Sequence, residues 1–168
     1  MSDFQTLIDQ MEAFPERLLA LIEDADDAAL YYRPGAQEWS VAEVIGHLED
    51  VDALFMGRVH QALTEDDPLF TVYEQTGPVR QRDFQRQPVG ALLAIFLARR
   101  AYFVNYLRGL TDAQLNRAGG HPMHGTMTVT RIPASIPRHD QTHYDQIATN
   151  LALFRQDTLS VAQPVGLV

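Results

Sequence analysis

The sequence contains no cysteine among its 168 residues. This absence excludes disulfide bonds, thiolate metal ligands and a cysteine nucleophile, so any metal ion must be held by nitrogen and oxygen atoms. No apolar run approaches the roughly 20 residues of a membrane span, and residues 1–5 lack the basic and apolar regions of a signal peptide. We therefore expect a cytoplasmic protein with no membrane association.

Positive charge is also scarce. The chain has 13 lysines and arginines against 22 aspartates and glutamates, which gives a formal net charge of −9. An acidic surface repels phosphate backbones, so we expect no nucleic-acid partner. The one basic cluster, Arg80, Arg82 and Arg86, is flanked by Glu74 and Asp83 and is predicted to be a solvated loop.

Apolar residues make up 46% of the chain and charged residues 21%, a balance typical of a globular protein with a real hydrophobic core. The length fits one domain, spanning residues 1–168, and leaves little room for two. Carboxylate pairs such as Asp26-Asp27 and Asp66-Asp67 lie in polar stretches and are expected to be exposed to solvent.

Helical spacing of apolar residues dominates the N-terminal half. The first helix begins near Phe4 and meets Pro15, which should kink the helix or divide it. The second begins after Ser40, a good N-cap with Glu43 three residues on in the capping-box arrangement, and runs to about residue 62.

The C-terminal half has two more long apolar helices. One spans about residues 88 to 109 and precedes a short helix from Thr111; the other carries residues 138–154, with Ser135 as N-cap and Pro137 in its first turn. Residues 64 to 88 are predicted to form a long connection, residues 126–130 are β-prone, and the tail should fray from about residue 158. The pattern predicts an all-α fold, a four-helix bundle with long crossover connections.

Two histidines, His139 and His143, lie four residues apart on the last helix. Four residues turn a helix by about 400°, so both imidazoles stand on one face, which is the spacing that presents two nitrogens to one metal ion. Such a pair is also common on an ordinary polar helix face, so both interpretations stay open.

A third histidine, His47, lies on the apolar side of the second helix. A lone histidine there is more often a hydrogen-bonded core residue than a ligand, yet facing helices of a bundle can bring it to the pair. Three imidazoles would leave open positions for water or substrate, and ligation should weaken as the pH falls through about 6.5. Candidate acceptors for the ring N–H groups are Glu43, Asp50 and Asp140.

The remaining histidines are expected to be peripheral. His60 lies about 1300° around the helix from His47 and should be on the surface, and His121 and His124 lie in a Gly-Pro loop. The two loop histidines are interpreted as loop polarity, with a place in the wall of the metal site as the alternative. The chain has no Gly-x-Ser-x-Gly elbow, phosphate-binding glycine loop or dinucleotide fingerprint.

Three separated segments together resemble the DinB-like (YfiT-type, damage-inducible) superfamily over nearly the whole chain. They are residues 33–34 with 39–48 (Arg-Pro, then WSVAEVIGHL), residues 125–129 (GTMTV) and residues 139–147 (HDQTHYDQI). The resemblance implies a four-helix bundle, commonly dimeric, that holds nickel, zinc or a similar divalent ion on residues matching His47, His139 and His143. Pro133 and Pro137 depart from the expected start of the last helix.

The resemblance also implies two kinds of chemistry on a small-molecule substrate, metal-dependent hydrolysis or S-transfer with a low-molecular-weight thiol such as bacillithiol or mycothiol. The metal would generate the nucleophile, the thiol would be an external cosubstrate, and the segment from Asp66 to Arg86 and the loop from His121 to His124 could form the substrate walls. The alternative is a non-catalytic, dimeric stress-response or binding module in which the metal is structural.

Overall fold

Four long helices form the frame of the protein. The computed structural model describes residues 3–72, 79 and 81–162, and the long helices are α1 (Asp3–Ile22), α3 (Val41–Thr64), α4 (Val89–Arg108) and α6 (Ile136–Ala162). The shorter elements are α2 (Asp27–Tyr31), α5 (Asp112–Leu115), β1 (Ala118–His121) and β2 (Gly125–Thr128). Helices α1 and α3 each pack against both α4 and α6, which confirms the predicted four-helix bundle.

The start of α3 agrees with the sequence-based prediction. The hydroxyl of Ser40 accepts a hydrogen bond from the Glu43 backbone N–H (3.3 Å), and the Glu43 carboxylate accepts one from the Ser40 N–H (2.9 Å). Residues 41–52, the first half of the helix, are all buried. Because five polar residues lie in this stretch, each must find a partner in the interior.

Helix α1 passes through Pro15 without interruption, so of the two outcomes predicted at this proline, a kink or a division, the division is wrong. A proline inside a helix leaves the carbonyl four residues earlier without its usual N–H donor, and here that carbonyl belongs to Met11. Arg100 replaces the missing donor, because its Nη1 donates to the Met11 oxygen at 3.2 Å. The proline is therefore compensated from another helix.

Arg100 contacts all three of the other long helices. It is 1% exposed, and besides Met11 of α1 its guanidinium donates to Asp52 of α3 (2.7 Å) and, with two nitrogens, to Asp140 of α6 (2.6 and 3.0 Å). Burial raises the pKa of Asp52 to about 6 although Arg100 opposes the shift. Neither Arg100 nor Asp52 is singled out by the sequence pattern.

Helix α4 is long and apolar enough to cross a membrane by length and composition, with a mean hydropathy of 1.2, contrary to the sequence-based expectation. Its inner side packs on α1 and α3, and Arg100 near its middle is buried in ion pairs with Asp52 of α3 and Asp140 of α6. We therefore assign it to the core of the bundle.

Helix α6 begins at Ile136, directly after a 3-10 turn over Ile132–Ser135, so Pro137 lies in the first turn as predicted. Ser135 belongs to the preceding turn rather than acting as a simple N-cap. The helix continues to Ala162, past the point near residue 158 at which fraying was expected. The hydroxyl of Thr158 donates to the carbonyl of Phe154 (2.9 Å) within this last stretch.

A small hairpin closes one end of the bundle. Strands β1 and β2 pair antiparallel with His121 opposite Gly125, and Gly125 has a φ of +66°, which glycine adopts without strain. The long connection after α3 is attached to this hairpin, because Phe70 N donates to the Gly120 oxygen (2.8 Å). Strand β1 lies in a stretch predicted only as a turn, whereas β2 agrees with the predicted β-prone segment.

Candidate metal centre

Three histidines from two helices converge on one point. The Nε2 atom of His139 on α6 lies 3.0 Å from that of His47 on α3 and 3.1 Å from that of His143, one turn further along α6. The donor atoms of the three residues lie within 4.8 Å of one another. The structure thus brings together the three residues that the sequence singled out.

The interior keeps these imidazoles neutral. Burial, together with the neighbouring His143 and His139, lowers the pKa of His47 to about 3. Burial, His143 and Arg100 lower the pKa of His139 to about 4. Burial also lowers the pKa of His143, although Gln146 and Asp140 act in the opposite direction. A neutral imidazole is the form that binds a metal ion.

Two further residues hold His143 in place. Gln146 Oε1 lies 2.8 Å from His143 Nδ1 and accepts a hydrogen bond from the N–H there, which leaves the lone pair on Nε2, the atom at the centre of the cluster. The indole of Trp39 is stacked nearly parallel to the His143 ring, with 10° between the planes and 6.1 Å between centroids. Asn150 fixes the Trp39 backbone by donating to its carbonyl oxygen (2.7 Å).

The geometry fits a divalent ion. Zinc binds imidazole nitrogen at about 2.0–2.1 Å, which places the nitrogens of a tetrahedral site about 3.4 Å apart. The separations of 3.0 and 3.1 Å between the Nε2 atoms are close to this value. Each neutral imidazole carries a single proton on one of its two nitrogens. Without an ion, hydrogen bonds among the three rings alone therefore cannot satisfy all three Nε2 atoms.

The three carboxylates that we named as candidate acceptors for the ring N–H groups pair with arginines, and the acceptor for His143 is Gln146. Among the described residues, Glu43 accepts from Arg33, Asp50 pairs with Arg82 and Asp140 pairs with Arg100. Helical spacing shows that these carboxylates lie near the histidines along their helices. It cannot show that arginines on other elements form ion pairs with them. The pairing of Arg82 also means that the basic cluster is not simply a solvated loop, although Arg86 is exposed and Arg80 lies outside the described residues.

The other histidines divide into two groups. His60 is exposed on α3, as predicted. His121 is buried on β1 and stacks on the exposed His124, with 4.6 Å between ring centroids. Both line a cavity that also reaches His139 and His143, so the alternative interpretation, in which they form part of the wall, is the correct one.

This cavity has a volume of about 990 Å³ and opens onto the histidine cluster from the hairpin side. His139 and His143 line it, whereas His47 lies behind them with 1% of its surface exposed. Of the segment from Asp66 to Arg86, expected as a wall, Val72 lines the cavity; residues 73–78 and 80 lie outside the described residues. In the part of the chain that the structure describes, the site is therefore accessible to a small molecule from one side.

Three kinds of comparison with known proteins agree with one another. The DinB superfamily profile matches residues 10–147. Proteins named "Putative metal-dependent hydrolase" from Halalkalibacterium halodurans and Oceanobacillus iheyensis are 27% and 23% identical, over 86% and 90% of this chain and 84% and 87% of their own lengths. The structure of Bacillus subtilis YfiT, described as an unusual four-helix bundle topology, aligns with a TM-score of 0.78 at 24% identity, covering 90% of this chain and 88% of that one.

Proposed function

The chain belongs to the DinB superfamily, and from this premise we propose that it is a metal-dependent hydrolase whose divalent ion is held by His47, His139 and His143. The convergence of the three Nε2 atoms, 3.0 and 3.1 Å apart, carries the proposal. The reaction class is taken from the names of the relatives.

The chain's own residues would prepare the site before any substrate enters. Burial keeps the three imidazoles neutral, Gln146 fixes the proton of His143 on Nδ1, and Trp39 covers the His143 ring. The cavity beside His139 and His143 leaves room for a small-molecule substrate. A bound divalent ion would supply Lewis acidity, which makes a nucleophile available at neutral pH.

Several finer properties follow as part of the same proposal. Nitrogen-only ligands suit nickel or zinc, which we expect as the ion. The same three ligands would also serve a thiol-dependent S-transferase, and because the chain has no cysteine the thiol would be an external cosubstrate. We expect a homodimer, as the family resemblance implies, and we keep the sequence-based expectation of a cytoplasmic protein; analytical ultracentrifugation measures the oligomeric state.

A second candidate is a non-catalytic module in which the ion only joins α3 to α6. It is favoured by one observation: no aspartate or glutamate is among the described residues that line the cavity, so none of these residues offers a carboxylate as a general base. The metal-loaded protein should be assayed on ester and phosphoester panels, and on a thiol with electrophiles. Inertness in every assay, with a large loss of thermal stability on chelation, would favour the module.

The metal site itself is tested by elemental analysis of protein purified without a histidine tag, where we expect one divalent ion per chain. Trp39 is the chain's single tryptophan and stacks on His143, so its fluorescence should change on titration with Ni²⁺. His143→Ala should abolish both signals, and His60→Ala, on the exposed part of α3, should leave them unchanged. Metal content equal in wild type and His143→Ala would disprove the site.

A further inference from the structure

The cavity beside the histidine cluster is cationic, although the protein as a whole carries a net charge of −9. Arg58, Arg131 and Arg138 line it together with His121 and His124, and none of the described lining residues is acidic. The remaining lining is largely apolar: Val51, Leu54, Phe55, Val72, Met123, Met127 and Ala134. The cavity therefore combines positive charge with an apolar wall.

Arg58 is the most unusual member of this lining. Its side chain is 6% exposed, yet it forms no ion pair with any carboxylate of the described residues. Its Nη2 donates to the carbonyl oxygen of Thr71 (2.7 Å), and its Nε has no hydrogen-bond partner in the described part of the chain. A buried guanidinium without a counter-charge is costly, and burial lowers its pKa.

His121 contributes a second donor at the same place. Its Nδ1 accepts the backbone N–H of Met123 (3.2 Å), so the single proton of the neutral ring lies on Nε2. Nε2 faces Nη2 of Arg58 at 3.3 Å, which brings two donors together with no acceptor between them. Burial and the charge of Arg58 lower the pKa of His121 and so keep its ring neutral.

The described residues place no acceptor between these two donors at the wall of the cavity, and an acceptor from outside the chain would satisfy both. We propose that Arg58 and His121 bind the anionic group of a small amphipathic substrate, a carboxylate or a phosphate, beside the three-histidine site. Arg138, exposed on α6 one residue before His139, adds positive charge, and Leu54, Phe55 and Met127 contact the apolar part. That the bound anion belongs to a substrate rests on the proposed function. That an anion binds at Arg58 and His121 requires no metal.

Binding to the metal-free protein tests the site directly. The probes are 3-phenylpropionate and its neutral amide, 3-phenylpropionamide, measured by isothermal titration calorimetry. We expect the carboxylate to bind at least about 10-fold more tightly than the amide, and Arg58→Gln to remove this preference, since one hydrogen bond to a charged group accounts for such a factor. Arg86→Gln, exposed and outside the cavity, is the matched control and should bind as wild type does.

Phenyl phosphate in the same titration shows which anion is preferred. Equal binding of carboxylate and amide, or carboxylate binding that survives Arg58→Gln, would overturn the proposal, as would no saturable binding of either anion. If Arg58→Gln does not fold, the exposed Arg138→Gln replaces it; we then expect anion affinity to fall about 2-fold or more and to weaken further with added salt. Unchanged affinity in a folded Arg138→Gln, with no salt dependence, would count against the site.

The tautomer of His121 gives an independent readout. In ¹⁵N NMR spectra of the metal-free protein, with the His121 signals assigned by their loss in His121→Asn, we expect a neutral ring protonated on Nε2. Protonation on Nδ1 would mean that His121 simply accepts from Arg58, and the argument for a missing acceptor would fail.

The closing experiment separates this inference from the proposed function. In the metal-loaded protein, 4-nitrophenyl hydrogen glutarate should be hydrolysed with a kcat/KM at least about 10-fold above that of its neutral methyl ester. Hydrolysis of both esters at equal rates would leave the hydrolase and remove the anion site. Anion binding in the metal-free protein without any hydrolysis would leave the anion site and remove the hydrolase.

Discussion

Arg100 and Asp140 form a bidentate ion pair in the interior, in which Nη1 donates to Oδ2 at 2.6 Å and Nη2 donates to Oδ1 at 3.0 Å. Asp140 directly follows His139 on α6, and the same guanidinium also binds Asp52 on α3, the helix that carries His47. Arg100 therefore sets the distance between the two helices whose histidines meet. Its contact with the Met11 carbonyl extends this link to α1.

Replacing Arg100 by leucine should cost about 3–5 kcal/mol of unfolding free energy, because two buried carboxylates lose their partner. Urea denaturation at pH 7 measures the loss. Arg99→Leu is the matched control: Arg99 is the neighbouring residue, pairs with Glu49 and is 30% exposed, so its loss should cost about 1 kcal/mol or less. Equal losses in the two variants would show that the buried network does not hold the helices.

Gln146→Leu should weaken metal binding by about 10- to 100-fold while leaving the fold intact, because His143 loses the acceptor that fixes its proton on Nδ1. Ni²⁺ affinity is measured by Trp39 fluorescence with a competing chelator. Gln156→Leu, an exposed glutamine on the same helix, should bind Ni²⁺ like wild type. An unchanged affinity in Gln146→Leu would mean that the hydrogen bond does not select the ligating tautomer.

The bundle could be predicted from the sequence because its signals are local. The capping box of Ser40 and Glu43 and the helical spacing of apolar residues depend on neighbours in the chain, and they gave α3 and α4 to within about two residues at each end. The continuity of α1 depends instead on a donor 89 residues away, Arg100. No local pattern around Pro15 can indicate such a donor.

The site was predictable in part for the same reason. The spacing of His139 and His143 is local, whereas their meeting with His47 depends on how α3 and α6 pack, and the family resemblance supplied that link. The role of Arg58 was missed altogether, since a lone arginine on a helix carries no local sign of burial. The role of Gln146 was also not predicted, although it lies three positions after His143, the spacing at which helical side chains meet.

Metal affinity should change little between about pH 7 and 6, which revises the expectation based on an ordinary histidine pKa of about 6.5. The pKa of His47 is lowered to about 3 and that of His139 to about 4 in the metal-free fold, and burial also lowers the pKa of His143, so protons compete with the ion at lower pH than for exposed imidazoles. Competition with a chelator of known pH dependence measures the profile. A loss of about 10-fold or more in affinity between pH 7 and 6 would contradict it.

Gly46, the residue before His47, has no room for a side chain. An added Cβ would lie 2.6 Å from the ring of Phe84, which is buried in the connection between α3 and α4. We expect Gly46→Ala to lower the unfolding free energy by about 1–3 kcal/mol through overpacking, despite alanine's better helix propensity.

Gly57→Ala on the same helix is the matched control for Gly46→Ala. Its added Cβ meets nothing within 4 Å, so the helix-propensity term acts alone and should raise stability by about 0.5–1 kcal/mol. Thermal and urea denaturation of both variants measure their changes in stability. We expect Gly46→Ala to lower the stability and Gly57→Ala to raise it. If both alanines stabilised the protein equally, Phe84 would be free to move away from α3, and the long connection would not be fixed beside His47.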